Sequence, residues 1–229
     1  SYLTWFRHHG GQILYEKLYA RYNIHSIACG LIGVAGAGWF NHEINEAKDL
    51  RKSKIAASGL VSRVYQTLGA KTFKITPQNL LSALKSGKIN AVAFSTPVTD
   101  HKLGLSKYAK IYYFPGWFQQ AKFFDLMINL ETWKGLTNNQ QKMIESACMA
   151  NIINSMATTE GEQFNTLKKI IGEGVDVRRF SPDTIQALKR SWLSIANTEA
   201  AANKEFLQIL ESLRKFRNDY SIWRELGKI

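Results

Sequence analysis

The chain has 229 residues, 45% of them hydrophobic and 21% charged, a balance that supports a buried core and excludes a disordered or collagen-like chain. Its 30 Lys and Arg residues exceed its 18 Asp and Glu residues, so the net charge is +12, which raises nucleic acid, anionic lipid or an acidic protein as partners. The basic residues are scattered among acidic and apolar ones, which predicts a solvated basic surface and argues against nucleic acid. The longest apolar stretch, 27–40, is broken by glycines and is too short to span a membrane.

In the first half of the chain, helical and strand patterns alternate. A helix is predicted over 12–22 because apolar residues recur at helical spacing, and a strand follows over 24–28. After a glycine-rich loop over 30–38, the pattern predicts a strand over 54–58, a helix over 60–68, a strand over 69–75, a helix from Pro77 to Gly87, a strand over 89–94 and a short helix from Pro97. Strands that alternate with helices need crossover connections, so we predict an α/β fold with a mixed or parallel sheet.

The second half of the chain begins with two aromatic-rich strands and then becomes mainly helical. The strands are predicted over 109–114 and 123–130. A helix from Thr137 to about Ile171 is long enough to cross from one lobe to another. A strand over 175–180 and a second long helical region from Ser181 complete the chain.

No group of residues predicts catalysis, a cofactor or a metal site. The glycines over 33–38 do not lead into a helix, as a dinucleotide-binding loop must. His8 and His9 have no partner at the spacing of metal ligands. Cys29 and Cys148 are far apart and neither belongs to a C-x-x-C pair, so we expect two buried thiols and neither a disulfide nor a zinc site. Without a set of acid, base and nucleophile, the chain is not expected to be an enzyme.

Short motifs that form a specific combination are spread over nearly the whole chain. They are Ala37-Gly38-Trp39-Phe40 with Glu43-Ile44, Asp49-Leu50, Lys54-Ile55, Ala83-Leu84, Gly87-Lys88-Ile89, Gly104-Leu105, Tyr112-Tyr113-Phe114-Pro115-Gly116-Trp117 and Leu126-Met127-Ile128-Asn129. Together they resemble the solute receptors of TRAP transporters, in particular those for 2-oxo acids and similar carboxylates. The resemblance implies a periplasmic-binding-protein-like fold, in which two α/β lobes close on an organic anion and a long helix crosses both.

The resemblance also implies how the chain divides into lobes. Lobe I is expected from 1–33 and 121–159, lobe II from 34–120 and 160–193, and a C-terminal helical segment from 194–229. Receptors of this family tend to be longer at the N-terminus, so lobe I is expected to be incomplete. Its strand edges and apolar side chains, around 2–6 and 123–130, would then need a protein partner to cover them.

Aligned on these motifs, the chain departs from the family where a ligand is held. Ala35 stands where the family usually has a glutamine, Ala56 where it has the arginine that grips the carboxylate, and Ala93 and Phe94 where it has an acidic residue and a tryptophan. Loss of a buried charge pair costs roughly 2–5 kcal/mol, so the three alanines predict that carboxylate capture has been abandoned. The other residues expected to line the pocket are Trp39, Asn90, Asp100 and Trp117.

Three functions are compatible with the resemblance. The first is a receptor homologue that has lost carboxylate binding and serves as a structural or interaction subunit of a larger, membrane-associated assembly, docked on a protein partner, an acidic protein surface or anionic lipid. The alternative is a functional extracytoplasmic receptor for a carboxylate or a less charged solute, working with TRAP membrane subunits. The third is an ordinary receptor whose binding residues have been substituted. The resemblance implies a periplasmic location, with a mitochondrial location as the alternative.

Overall fold

The computed structural model describes residues 2–119 and 121–227. Positions 1, 120, 228 and 229, which include the ends of three of the ranges expected from the sequence, lie outside the described residues. The chain forms two compact units. Unit 1 consists of Ser1–Cys29, Phe124–Ala150 and Ala196–Ile229, and unit 2 of Gly30–Phe123 and Asn151–Ile195.

The predicted helices and strands occur in the predicted order. The structure adds a helix at Tyr2–His8, a strand at Gly38–Phe40, directly after the predicted glycine-rich loop, and a helix at Leu130–Gly135. The helices are α1 Tyr2–His8, α2 Gly11–Ala20, α3 Gly59–Thr67, α4 Leu80–Lys85, α5 Pro97–Lys102, α6 Leu130–Gly135, α7 Asn138–Gly172, α8 Pro182–Ala202 and α9 Lys204–Leu226. The strands are β1 Ile24–Ile32, β2 Gly38–Phe40, β3 Lys54–Ala56, β4 Lys71–Phe73, β5 Ala91–Val92, β6 Ile111–Tyr113, β7 Lys122–Asn129 and β8 Asp176–Arg178. The predicted long helix is confirmed as α7, whose 35 residues belong partly to unit 1 and partly to unit 2.

The observed strands differ in length from the predicted ones, and the two clearest cases are β1 and β5. β1 continues to Ile32, beyond the predicted end at 28, because it pairs with β7 in a two-stranded sheet. The strand predicted over 89–94 is reduced to Ala91–Val92. Pairing between strands that are distant in sequence therefore sets these bounds, and a local pattern does not contain that information.

Unit 2 contains a six-stranded mixed sheet in the order β4-β3-β5-β2-β6-β8. β2 is antiparallel to both of its neighbours, β5 and β6. The other pairs, β3 with β4, β3 with β5 and β6 with β8, are parallel. The predicted α/β fold is confirmed, and of the two predicted alternatives, a mixed or a parallel sheet, the structure has the mixed one.

Both faces of this sheet are buried, and successive residues of β2 show the alternation. Trp39 pairs with Val92 and Tyr112 and shares one apolar cluster with them, which α4 and the end of α7 cover. Phe40 belongs to the opposite cluster, which α3 and α8 cover. Side chains alternate between the faces of a strand, so two layers of helices enclose the sheet in a three-layer α/β unit.

Unit 1 is mainly helical and contains a disulfide between Cys29 in β1 and Cys148 in α7. The prediction of two free thiols was therefore wrong. The two cysteines lie 119 residues apart in sequence, yet their Cα atoms are 4.1 Å apart, because the fold packs β1 against the first third of α7. Motif spacing detects cysteine pairs that are close in sequence and cannot detect this one.

The N-terminal aromatic residues contribute to the core of unit 1. Trp5 is fully buried, Phe6 is 4% exposed, and the indole Nε1 of Trp5 donates to Ser212 Oγ at 3.1 Å. The expectation that this segment needs a partner to cover it was wrong for these two residues. Phe124 and Met127 of β7 are exposed, as the sequence analysis expects.

None of the helices in the described part of the chain is long and apolar enough to cross a membrane.

Candidate functional site

One edge of the six-stranded sheet collects the chain segments that the sequence analysis singled out. β5 and β6 are both antiparallel to β2, so their carboxyl ends lie beside the start of β2. β3 runs parallel to β5, so it ends at the same edge. We call this the loop edge, formed by residues 33–37, 56–58, 93–96 and 114–119. Ligands of α/β proteins bind outside the carboxyl ends of strands, so the loop edge is the candidate site of unit 2.

Backbone hydrogen bonds join the segments of the loop edge. Gly36 N donates to Ser95 O at 2.9 Å, and Ala35 N donates to Gln119 O at 3.0 Å. Gly116 N donates to Ala35 O at 2.7 Å. A Cβ atom at Gly36 would overlap the hydroxyl of Tyr112. The glycine at position 36 thus allows the strand ends to approach one another, which gives this part of the glycine-rich segment a packing role.

The three alanines lie at this edge, and two of them pack against the apolar clusters of the sheet. Ala35 is fully buried and Ala56 is 4% exposed. Ala56 packs in the Trp39 cluster, whereas Ala93 packs against the cluster on the opposite face. Ala93 N also donates to Ala56 O at 3.0 Å. The structure thus brings these positions together, and none of the three side chains carries a polar group. Phe94, at the end of the same segment, is half-buried and packs against the Trp39 cluster.

The two tryptophans expected in the pocket occupy different faces of the sheet. Trp39 is fully buried beneath the loop edge and its ring stacks on Tyr112 with centroids 4.3 Å apart. Trp117 is half-buried, and its Nε1 donates to Tyr65 Oη at 3.1 Å. Tyr65 in turn donates to Ala37 O. Trp117 is therefore held at the loop edge by these hydrogen bonds, whereas Trp39 lies in the core beneath the loop edge.

Asn90 lies at the opposite end of the sheet. Its Oδ1 accepts a hydrogen bond from Lys54 N at 2.7 Å, and its Nδ2 donates to Lys52 O at 3.0 Å. These bonds satisfy backbone groups at the start of β3. The structure separates Asn90 from the other residues that were expected to line the pocket.

Asp100 is a buried acid directly beneath the loop edge. It is 1% exposed, and its Oδ2 accepts a hydrogen bond from Trp39 Nε1 at 3.1 Å. Its other oxygen, Oδ1, is buried with no hydrogen-bond partner, as is the hydroxyl of Tyr112. Burial raises the pKa of Asp100 to about 7, against the lowering effects of the Trp39 hydrogen bond and the charge of Lys122.

Lys122, the first residue of β7, places a positive charge at the loop edge near Asp100. Its side chain is half-buried, and its Nζ donates to Ser95 Oγ at 3.0 Å. Burial lowers the pKa of this ammonium group, and the charge of Asp100 acts in the opposite direction. A buried acid, a lysine and two hydroxyl groups therefore form a polar cluster at the loop edge: Asp100, Lys122, Ser95 and Tyr112.

Sequence reasoning did not assign Lys122 or Ser95 to the site. Only positions aligned with the binding residues of the family were considered as candidates, and neither residue stands at such a position. The available signal was a single cation, Lys122, near the start of the largely apolar segment 121–128. Within the described residues no group of three or more His, Cys, Asp or Glu side chains is placed to hold a metal ion.

The family model for bacterial extracellular solute-binding proteins, family 7, matches residues 3–201. A monocarboxylate 2-oxoacid-binding periplasmic protein of Nostoc sp. is 28% identical over 229 residues, which cover 99% of this chain and 62% of that protein. The chain thus spans less than two thirds of that relative's length.

Two solved structures of TRAP transporter solute-binding proteins share the fold. The protein from Bordetella bronchiseptica, with calcium and picolinate at its active site, has a TM-score of 0.89 and 29% identity over 97% of this chain and 66% of its own. The protein from Colwellia psychrerythraea, with bound calcium and pyruvate, has a TM-score of 0.89 and 28% identity over 97% of this chain and 68% of its own.

Proposed function

The chain belongs to the bacterial extracellular solute-binding proteins of family 7, and we propose that it is a TRAP-type receptor whose solute is a small carboxylate. Its family is one of solute-binding receptors and not of enzymes, in agreement with the sequence analysis. Family membership does not fix the solute, so the preference for a small carboxylate is our proposal.

The observation that carries this proposal is the preservation of the receptor fold. The chain matches the fold of carboxylate-bound receptors over 97% of its length with a TM-score of 0.89. Within that fold, four chain segments still converge at the loop edge and are joined there by backbone hydrogen bonds. A site that positions several segments by backbone contacts can accept a different set of side chains and still bind a solute.

The proposal includes the location and partners of the receptor. We assign the chain to the extracytoplasmic space, where it would deliver its solute to the membrane subunits of a TRAP transporter. We further assign unit 1 to lobe I and unit 2 to lobe II of the receptor. The mitochondrial alternative has no support from the family or from the Nostoc relative.

A second candidate function is a receptor homologue that acts as a structural subunit and binds no carboxylate. The observation that favours it is the burial of Ala35 and Ala56 as apolar residues at the loop edge. An anion enclosed without a counter-charge loses the interaction that offsets its desolvation. This candidate requires that no other cation of the chain serves the site.

Isothermal titration calorimetry of the purified chain with pyruvate and other monocarboxylates, with and without calcium, distinguishes the two candidates. A receptor is expected to give saturable binding with a micromolar Kd for at least one monocarboxylate, and a rise in Tm with that solute. The absence of binding and of any Tm shift for the whole panel would refute the carboxylate receptor and favour the structural subunit.

A further inference from the structure

We propose that Lys122 replaces the missing arginine as the cationic anchor, and that the site therefore selects small monocarboxylates over dicarboxylates. This inference rests on the proposed receptor function and names the residue and the solute class that the comparisons leave open. The cation is delivered from β7 instead of from the end of β3.

Lys122 has donors to spare. A lysine ammonium group has three N–H donors, and the Ser95 hydroxyl accepts one of them at 3.0 Å. Among the described residues, no carboxylate oxygen lies within 4.0 Å of Lys122 Nζ, so the lysine forms no ion pair there. Two donors of a half-buried cation therefore remain for a ligand.

The position of Lys122 is fixed to the loop edge. The hydroxyl of Ser95 accepts the hydrogen bond from Lys122, and the backbone carbonyl of Ser95 accepts a hydrogen bond from Gly36 N. Ser95 follows Ala93 and Phe94 directly in sequence. The ammonium group thus lies at the same edge as the alanines, and the positive charge of the site has changed its position instead of being lost.

Unpartnered polar atoms in the polar cluster provide an independent indication of a ligand. Asp100 Oδ1 and Tyr112 Oη are both buried without a hydrogen-bond partner, and a buried polar atom without a partner costs roughly 1–3 kcal/mol. The Asp100 pKa of about 7 allows the protonated acid to donate as well as accept. A ligand with oxygen atoms, or water when the site is free, would satisfy these groups.

The charge balance indicates which carboxylates fit. One ammonium group can neutralise one carboxylate. Lys122 is the only cation in the polar cluster, so a second carboxylate on the solute would be enclosed there without a counter-charge. A small monoanion is therefore favoured.

The test measures binding of pyruvate and of the dicarboxylate malonate by calorimetry to the wild type, Lys122→Met, Lys122→Arg and Lys88→Met. Lys88 is an exposed lysine outside the cluster and serves as the matched control. We expect Lys122→Met to weaken pyruvate binding by at least about thirtyfold, which corresponds to the loss of a partly buried charge pair. Lys122→Arg should retain most of the affinity, Lys88→Met should match the wild type, and malonate should bind the wild type more weakly than pyruvate does.

The possible failures are separable. If the wild type binds no monocarboxylate, the receptor proposal itself fails. If the wild type binds pyruvate and Lys122→Met, folded by circular dichroism, binds it equally well, the receptor proposal stands and the anchor is refuted. Equal or tighter binding of malonate by the wild type would refute the proposed selectivity.

Discussion

In unit 2 a six-stranded sheet is covered by apolar side chains on both faces, whereas unit 1 is mainly helical and contains the Cys29–Cys148 disulfide. The first arrangement gains stability from hydrophobic burial, and the second adds a covalent cross-link that restricts the unfolded chain. The loop edge is built on the sheet, so the candidate site inherits its rigidity from the cores beneath it. The polar cluster is the exception, because it places a buried acid and a lysine against that apolar support.

The largest stability effect is expected from Trp39→Ala. This change removes a fully buried indole that stacks on Tyr112 and hydrogen-bonds Asp100, so the free energy of unfolding should fall by about 3–5 kcal/mol. Urea denaturation followed by circular dichroism measures it. Trp223→Ala is the matched control in unit 1, where the side chain is 70% exposed, and should change stability by no more than about 0.5 kcal/mol. Similar losses in both variants would contradict the burial of Trp39.

Removal of the disulfide tests the contribution that is specific to unit 1. The double variant Cys29→Ala/Cys148→Ala opens a loop with a sequence separation of 119 residues, and should lower the free energy of unfolding by about 2–4 kcal/mol. Treatment of the wild type with a reductant should lower the denaturation midpoint in the same way. A midpoint that is unaffected by either change would show that the cross-link does not form.

The pH dependence of stability tests the polar cluster of unit 2. Burial raises the pKa of Asp100 to about 7, above its unfolded value of about 3.9. Between these values the folded state holds a proton that the unfolded state has released, so the contribution of Asp100 to stability falls as pH rises from about 4 to about 7. Asp100→Asn lacks this penalty. Relative to the wild type, the variant should gain about 2 kcal/mol between pH 5 and pH 7, as measured by urea denaturation at both values. A constant difference would indicate that Asp100 titrates normally.

The smallest effect is expected at the surface of unit 1. Arg21 and Glu205 form an ion pair at 2.6 Å with about half of each side chain exposed. Exposed pairs contribute little and are screened by salt. Arg21→Ala should shift the midpoint of urea denaturation only slightly at low salt and not at all at high salt. A large, salt-independent shift would mean that this pair is more important than its exposure suggests.

Local sequence patterns predicted most of the helices and strands, and the combination of short motifs predicted the family. The bounds of α2 and α7 to within about two residues, an α/β fold and the resemblance to solute receptors were all readable from residue spacing and short motifs. The antiparallel strand β2, which makes the sheet mixed, was not predicted. The Cys29–Cys148 disulfide was not, because 119 intervening residues leave no local sign of proximity.

The candidate site was only partly readable for the same reason. The family pattern singled out Ala35 and Ala56, which lie at the loop edge, but it also singled out Asn90, which lies at the opposite end of the sheet. Lys122 comes from β7, and its position near the other site residues can be recognised only in the folded structure. Lys122 reaches Ser95 across 27 residues of sequence, and a position-by-position comparison with a family pattern cannot detect a contact of this kind.

A crystal structure of the wild-type chain grown with pyruvate tests the central claim most directly. The account predicts pyruvate at the loop edge, with its carboxylate within hydrogen-bond distance of Lys122 Nζ and close to Ser95. Pyruvate bound with its carboxylate on a different cation, or a loop edge that stays free of pyruvate at saturating concentration, would contradict it.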